Sequence, residues 1–294
     1  MIYDAPRFLP GGDRYITVEF GNEMNLELNF RAQGLAAAIA EARIAGVIES
    51  APCYASLLVH YDGDRISYAS LERELRGLCA SLGSSDALTL DSRLFYIEAM
   101  YLDPWTRQCI DDYRTSIATP AGKQKEYDPD FVARINALAD ANQLVRVHSG
   151  TEYWVAALGF WPGLPFMMPL DPRCRLTTPK YDPPRTFTPQ GTVGMGGASS
   201  CIYPVATPGG YQMFGRTPVP IWDTKRRFDA FGDSIVLFRA GDRVRFVPIS
   251  QEEFEATERR VAEGTYLYNV VEYQKFSVGG YKRWLSTLDA TRRF

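Results

Sequence analysis

The hydrophobic pattern changes its period several times within the first hundred residues. Residues 14–20 alternate apolar and polar side chains, which favours a strand. Asn25 is a suitable helix cap, because its short polar side chain can accept a hydrogen bond from a free amide. The apolar residues that follow it at helical spacing are Leu28, Ala32, Leu35, Ile39 and Ala42. Residues 53–61 predict a second strand, a leucine stripe over 71–82 a second helix, and 93–101 a third strand. This order predicts a small sheet with helices on one face.

The pattern becomes mostly helical after this region and then changes to short strands. Helices are predicted over 105–117 and 129–142, and the polar stretch ATPAGKQKEYD between them is interpreted as a surface linker between domains. Short strands are predicted at 153–158, 192–195, 201–205, 211–214, 234–238 and 243–248. TPGG at 207–210 predicts a hairpin turn, and six or so strands with glycine-rich corners predict a closed barrel.

These changes of period predict an α+β protein with four parts. A small N-terminal α/β domain covers 1–103, and a helical connector covers 104–147. A β-barrel domain covers 148–250, and a helical C-terminal tail covers 251–294.

Composition excludes several classes of function. The 294 residues carry a formal net charge of −3, which gives no reason to expect nucleic acid or an anionic membrane as a partner. No apolar run approaches the roughly 20 residues of a membrane-spanning helix, and no secretion signal is visible. The five cysteines are scattered and never spaced as CxxC, so a cytoplasmic protein with free thiols and no structural metal is expected.

Candidate chemistry is concentrated between His148 and Asp223, where glycine, proline and aromatic residues are interleaved with cations. GMGGASS at 194–200 contains Gly196, Gly197 and Ser199, and backbone amides freed by its glycines could cradle an anion or an oxyanion. The alternative is a pair of glycines at a barrel corner.

Three cations lie among Pro, Tyr and Thr rather than on a polar helix face: Lys180, Arg185 and Arg216. Arg185 follows two prolines, so its backbone is held extended and its guanidinium could be aimed at a carboxylate, carbamate or phosphate. The alternative for each cation is a surface ion pair.

His148 and Glu152 are four residues apart at the start of a predicted strand, where both would face one side. Such a pair could perform general acid–base chemistry, or the histidine could simply fix a loop. Gln190 and Tyr203 are neutral donors that could hold a ureido or amide carbonyl, or could satisfy backbone groups instead.

Several separated motifs, in the right order over about 1–250, resemble a known family. They are GGDRYITVEFG, LNFRAQGLAAAI, HSGTEYWVAALGFWPGLPF and TPQGTVGMGGASSCIYPVATPGGYQMFGRTPVPIWD. The family is that of the first allophanate hydrolase subunit, which also includes the B subunit of bacterial 5-oxoprolinase and the sporulation-kinase inhibitor. PLDPRCRLTTPKYDPPRTFTPQGTVGMGG and the tail EYQKFSVGGYKRWL resemble the carboxyltransferase region of urea carboxylase more closely. HSGTEYWVAALGFWPGLPF is closer to the stand-alone subunits, so the substrate stays open.

The resemblance implies a cyclophilin-like β-barrel after a small α/β domain. It also implies a homologous second carboxyltransferase subunit that completes the active site. Biotin, as carboxybiotin, would come on a separate carrier, and ATP would be used only by a partner such as a biotin carboxylase, because the chain has neither a biotin-bearing MKM motif nor an ATP-grasp-like region.

The leading expectation is therefore one subunit of a biotin-dependent carboxyltransferase that acts on urea or a related small nitrogen substrate. Lys180, Arg185 or Gln190 would hold the ureido oxygen, and His148 or Glu152 would be the base. Phe160, Trp161, Phe166 and Tyr203 would exclude water. The alternatives are the B subunit of an ATP-dependent 5-oxoprolinase and a non-catalytic kinase-inhibitor-like regulator.

Overall fold

A computed structural model describes residues 1–116, 126–289 and 292–293. The chain forms two compact units. The N-terminal unit consists of Met1–Ser92 and Tyr273–Leu288, and the barrel unit consists of Arg93–Glu272 and Asp289–Phe294. None of the helices in the described part of the chain is long and apolar enough to cross a membrane.

The described secondary structure comprises short strands in both units and helices of moderate length. The strands are β1 (Ile2–Gly11), β2 (Tyr15–Gly21), β3 (Val47–Pro52), β4 (Ser56–Tyr61), β5 (Thr89–Asp91), β6 (Leu94–Tyr101), β7 (Glu152–Leu158), β8 (Pro165–Pro169), β9 (Arg185–Thr188), β10 (Thr192–Gly196), β11 (Ser199–Ile202), β12 (Thr207–Gly209), β13 (Gln212–Arg216), β14 (Arg243–Pro248), β15 (Asn269–Val271) and β16 (Lys275–Ser277). The helices are α1 (Leu26–Ala42), α2 (Tyr68–Ser81), α3 (Pro104–Ser116), α4 (Asp128–Ile135), α5 (Ala141–Ser149), α6 (Gln251–Glu263) and α7 (Val278–Leu285).

The N-terminal unit contains an antiparallel sheet in the order β1-β2-β4-β3. Ile16, Val18 and Phe20 alternate along β2 and are buried, as the period-2 pattern predicts. They pack in one cluster with apolar residues of α1 and α2, so both helices cover the same face of the sheet. Asn25 caps α1 as expected, because its side chain accepts a hydrogen bond from the amide of Glu27 at 2.8 Å.

The C-terminal part of the chain completes the N-terminal unit. Strand β16 pairs antiparallel with β5, and α7 follows directly. The rings of Phe276 and Tyr281 pack against Phe30 of α1, with centroids 5.5 and 5.8 Å away. Residues from both ends of the chain therefore share one apolar cluster.

The barrel unit is built on seven strands that close in the order β13-β10-β11-β8-β7-β14-β6 and back to β13. All neighbours are antiparallel except β14 and β6, which run parallel. Strand β15 also pairs with β6, antiparallel over residues 94–96. Closure leaves no free edges within the ring. The α+β class and the closed barrel are confirmed.

One large apolar cluster fills the barrel unit. It includes Phe95 of β6, Val155 of β7 and Phe246 of β14, together with Leu144 and Val147 of α5. The apolar face of α5 is thus buried with the inward-facing residues of the strands.

The structure corrects several predicted elements. The third predicted strand is present as β6, but its assignment to the N-terminal sheet is wrong, because β6 pairs in the barrel. The first segment of the N-terminal unit ends at Ser92 rather than at 103. TPGG is not a hairpin turn, because β12 pairs with β9 there. Residues 234–238 form no named strand, only a bridge between Trp222 and Val236.

The helical regions also differ in detail from the expectation. The predicted helix over 129–142 is two helices, α4 and α5. The predicted tail helices correspond to α6 and α7, but α6 belongs to the barrel unit and α7 to the N-terminal unit. Residues 118–125 of the predicted linker lie outside the described residues. Helices α3 and α4 on its two sides belong to one unit, so it does not join the two units.

Candidate functional site

A cavity of about 120 Å³ opens beside Lys180 in the barrel unit. Its other walls are aromatic or small residues: Phe160, Leu164, Phe166, Cys201, Tyr203, Gly209, Gly210 and Tyr211. We call it the lysine cavity. Among the described residues that line it, Lys180 carries the charge. The cavity therefore combines an apolar wall with a positive charge, a combination typical of small-molecule sites.

Lys180 is exposed. Backbone hydrogen bonds of the neighbouring residues Thr178 and Tyr181 fix its place in the chain. Its Nζ lies 5.3 Å from the centre of the Tyr211 ring, close enough for a cation–π contact. The amide of Tyr181 donates to the carbonyl of Gly210 at 2.6 Å, and Thr178 exchanges two backbone hydrogen bonds with Gly197 at 2.7 and 2.9 Å. The backbone on both sides of Lys180 is thus attached to the barrel, while its side chain reaches the cavity.

GMGGASS is a tight β-hairpin rather than an open cradle of amides. Gly196 ends β10 and faces Ser199, the first residue of β11. Gly197 takes a left-handed φ of 64° in the turn, where glycine has no steric penalty. Its amide donates to the carbonyl of Thr178 and is therefore not free for an anion. The predicted anion cradle is corrected to a barrel corner.

Gly196 lies directly behind the wall of the lysine cavity. A Cβ atom at this position would lie 2.5 Å from Cδ1 of Tyr211 and 3.1 Å from Cγ of Lys180. Only glycine leaves room for both side chains in their observed positions, so Gly196 shapes the lysine cavity although it does not line it.

Ser199 and Tyr203 are both buried but differ in position. Tyr203 lines the lysine cavity, and its burial raises the pKa of its phenol, so it stays a neutral donor. The Ser199 hydroxyl lies 3.5 Å from the carbonyl of Met167 and does not line the cavity.

Arg185 is buried inside the barrel unit and is not aimed at an open site. Its side chain is 2% exposed, and Nη1 donates to the carbonyl of Tyr211 at 2.7 Å. Nη2 donates to Thr188 Oγ1 at 3.2 Å, and the guanidinium stacks 4.3 Å from the Tyr181 ring. The predicted free cation is therefore corrected to a support, which holds the backbone of the cavity residue Tyr211.

A buried carboxylate continues this network and was missed by sequence reasoning. Asp128 is fully buried and accepts hydrogen bonds from the Tyr181 hydroxyl at 2.6 Å and from the Met213 amide at 2.8 Å. Its position at the start of α4 resembled an ordinary acidic first turn, so the sequence carried no signal for this role.

His148 lies in the last turn of α5 rather than in a strand. Its ring is fully buried, with Nδ1 2.7 Å from the Tyr101 hydroxyl and Nε2 3.1 Å from Ser200 Oγ. Burial lowers the pKa of His148 to about 3, so the ring is neutral near pH 7. A base must reach its substrate, and an enclosed imidazole does not.

Glu152 begins β7 and is half-buried. Its Oε2 accepts from Arg243 Nη1 at 2.7 Å, which makes an ion pair across the barrel strands. Neither Glu152 nor His148 lines the lysine cavity. The predicted acid–base pair is therefore not assembled, because His148 belongs to α5 and only Glu152 to β7, so the strand periodicity on which the pair rested does not hold.

Gln190 and Arg216 line a second cavity of about 290 Å³, to which Tyr203 also contributes. Nε of Arg216 donates to the carbonyl of Gln190 at 2.9 Å. We call this space the arginine cavity, because Arg216 and Arg227 both line it. The predicted binding residues are thus divided between two places.

Of the predicted residues, the lysine cavity brings together Lys180 and Tyr203 with the water-excluding aromatics Phe160 and Phe166. Trp161 does not line it. Tyr211 was missed as a site residue, because its alternating neighbours gave only a strand signal.

Comparisons with known proteins agree with this architecture. The family model described as carboxyltransferase domain, subdomain C and D, matches residues 6–231. The chain belongs to this family. The expected resemblance to urea carboxylase and to the B subunit of 5-oxoprolinase is confirmed.

Two curated relatives of this carboxyltransferase-domain chain differ greatly in length. The urea amidolyase of Saccharomyces cerevisiae is 31% identical over 277 residues, which are 94% of this chain and 15% of that protein. The 5-oxoprolinase B subunit of Bacillus subtilis is 32% identical over 247 residues, which are 83% of this chain and 93% of that protein. The chain thus spans a small fraction of one relative and nearly all of the other.

Among solved structures, the urea carboxylase of Kluyveromyces lactis matches with a TM-score of 0.84 and 30% identity. This match covers 97% of the present chain and 26% of the Kluyveromyces lactis chain. A structure named TTHA0988 matches with a TM-score of 0.59 and 28% identity over 81% of the chain.

Proposed function

We propose that this chain forms one half of a biotin-dependent carboxyltransferase site that acts on urea or a related small nitrogen substrate. A homologous partner would complete the site. The observation that carries this proposal is the match to urea carboxylase over 97% of the chain at a TM-score of 0.84. That match includes nearly all of the chain beyond residue 231, where the family model ends.

The lysine cavity is the proposed site of transfer, and its residues suit a ureido ring. Aromatic side chains offer flat apolar walls, and the ammonium group of Lys180 offers N–H donors with a positive charge. Carboxybiotin, delivered on a separate carrier, would supply the carboxyl group.

Lys180 is proposed to donate a hydrogen bond from Nζ to the ureido oxygen and to stabilise the negative charge that develops there. Such a donor is most effective when it is positioned before the reaction and water is excluded from the site. Lys180 is exposed in this chain, so the homologous partner is proposed to cover it. Phe160, Phe166 and Tyr211 would exclude water, which favours transfer over loss of the carboxyl group to solvent. His148 is enclosed and Glu152 is paired with Arg243, so the base is proposed to come from the homologous partner.

The test is reconstitution of the chain with a homologous partner, a biotin carboxylase and a biotinylated carrier, followed by urea-dependent ATP consumption. We expect Lys180→Ala to lower turnover on the order of 100-fold, because it removes a donor to a developing charge. Lys225→Ala is the matched control, since Lys225 is exposed and lines neither cavity. Full turnover by Lys180→Ala would remove the lysine from the mechanism.

A second candidate function is that of the B subunit of an ATP-dependent 5-oxoprolinase. It is favoured by the match to 93% of the Bacillus subtilis protein. The same reconstitution distinguishes the two functions, because ATP consumption driven by 5-oxoproline without a biotinylated carrier would support only this candidate.

A further inference from the structure

The arginine cavity has no part in the proposed transfer site, although Tyr203 lines both cavities. With a volume of about 290 Å³ it is the larger of the two. Helix α6 contributes Glu258 and Val261 to its lining, and the segment after β13 contributes Val219. The cavity is therefore formed within the barrel unit alone.

Arg216 is held in a fixed position at this cavity. Its guanidinium carbon lies 5.0 Å from the centre of the Trp105 ring and 5.4 Å from that of Phe254. Its Nε donates to the Gln190 carbonyl at 2.9 Å. A guanidinium held by two rings and one carbonyl loses little entropy when it binds a ligand.

No carboxylate of the described residues lies within ion-pair distance of Arg216. The nearby buried Asp103 accepts hydrogen bonds from the Thr106 amide at 2.8 Å and from the Thr106 hydroxyl at 2.5 Å. Its charge is thus engaged at the start of α3, and burial raises the pKa of its carboxyl. The nearby charge of Arg216 acts on the same carboxyl in the opposite direction and lowers its pKa. Within the described part of the chain, Arg216 is thus a positioned cation that has the buried Asp103 as a charged neighbour but makes no ion pair.

The remaining charges favour a singly charged ligand. Arg227 also lines the cavity, but its Nε is paired with Asp223 Oδ2 at 3.0 Å. Glu258 lies on the same lining and repels additional negative charge. Prolines at 204, 218 and 220 have no N–H to offer. The guanidinium groups are therefore the positively charged donors of the lining, and Gln190, Tyr203 and Thr217 add neutral ones.

We propose that the arginine cavity binds a small organic carboxylate, with its head group on Arg216 and its apolar part against Val219 and Val261. A guanidinium matches the planar geometry of a carboxylate and can bind it with two parallel hydrogen bonds. This site is separate from the lysine cavity and does not depend on the proposed function.

The test uses the full chain and two probes of nearly the same shape. Isobutyrate carries the charge and a branched apolar part, and isobutyramide is its neutral counterpart. We expect titration calorimetry or NMR shifts to show saturable binding of isobutyrate and at least tenfold weaker binding of isobutyramide.

Variants locate the site. Arg216→Gln should weaken isobutyrate binding at least tenfold, whereas Arg259→Gln, an exposed change on α6 outside the cavity, should not. Arg216→Gln could disturb packing against Trp105, so Glu258→Gln provides a second measurement. It should strengthen isobutyrate binding, because it removes a like charge, and a damaged fold would not produce this gain.

Equal binding of the two probes, or unchanged isobutyrate binding by both Arg216→Gln and Glu258→Gln, would overturn the proposal. The readout is binding by the chain alone, so its failure would leave the proposed carboxyl transfer untouched.

Discussion

At the scale of single residues, His148 shows how burial determines charge. The ring is fully buried between Tyr101 and Ser200, and its pKa is lowered to about 3. The unfolded chain has no such burial, so its histidine takes up a proton near pH 6.5. The stability that neutral His148 provides is therefore full above about pH 6.5 and is lost as the pH falls toward 3.

We expect the free energy of unfolding to fall by up to about 1.4 kcal/mol per pH unit from this one group over that range. Urea unfolding at pH 7 and pH 4.5 measures how steeply the free energy of unfolding depends on pH. His148→Gln should lack the part of this pH dependence that comes from His148, whatever the absolute stability of the variant. His60→Gln is the control, because His60 is only partly buried in the N-terminal unit and its loss should leave the slope in place. An unchanged slope in His148→Gln would contradict the prediction.

Residue types in a sequence indicate which side chains can perform chemistry, but not which of them reach solvent. Lys180 and Arg185 both lie among prolines and tyrosines in the sequence. In the structure Lys180 is exposed, whereas Arg185 is buried with only 2% of its surface exposed. The difference arises because the strand pairing of β9 turns Arg185 inward toward Thr188 and Tyr211. That pairing is a long-range contact, and no local pattern encodes it.

At the scale of elements, the hairpin of β10 and β11 supports the lysine cavity. We expect Gly196→Ala to displace the Tyr211 ring, because the new Cβ atom would lie 2.5 Å from it. Overpacking of this kind costs about 1–3 kcal/mol of stability. We expect turnover in the reconstituted system to fall about tenfold or more, since Tyr211 contacts Lys180.

Gly197→Asn is the matched control, one residue further along the same hairpin. Nothing lies within 4 Å of a Cβ atom at Gly197, and asparagine tolerates its φ of 64°. For both variants, the melting temperature measures the loss of stability, and turnover measures the effect on the lysine cavity. Equal activity of the two variants would show that the Tyr211 ring does not shape the site.

The sequence predicted elements best where one period was long and uninterrupted. The observed α1, α2 and β14 agree with their hydrophobic patterns, and α3 begins one residue before its predicted start. Periodicity reports which face of a strand is buried but not which strand lies beside it. This is why β6 was placed in the wrong sheet, and why an acid–base pair was predicted across the end of α5.

At the scale of the whole molecule, the N-terminal unit depends on residues from both parts of the chain. We expect truncation after Glu272 to destabilise this unit, because it removes the buried Phe276 and Val278 and the ion pair of Lys282 with Glu27 at 2.7 Å. Losing a buried aromatic side chain alone costs about 3–5 kcal/mol.

Hydrogen exchange measures this effect unit by unit. Protection should fall in α1 and β4 and remain in β10 and β11 of the barrel unit. Truncation after Leu288 is the control, because it leaves α7 in place. Unchanged protection of α1 in the shorter chain would contradict the prediction.

The order of the two units along the polypeptide also affects how the protein is made. The main segment of the barrel unit, Arg93–Glu272, is inserted between Ser92 and Tyr273 of the N-terminal unit. On a translating ribosome, most of the barrel emerges before the last segment of the first unit is synthesised. Because domains generally fold as units during synthesis, the part made first is expected to be the last to reach its finished form. Until then its α1 and β5 surfaces stay uncovered, and chaperones that recognise apolar surface would have the longest access there.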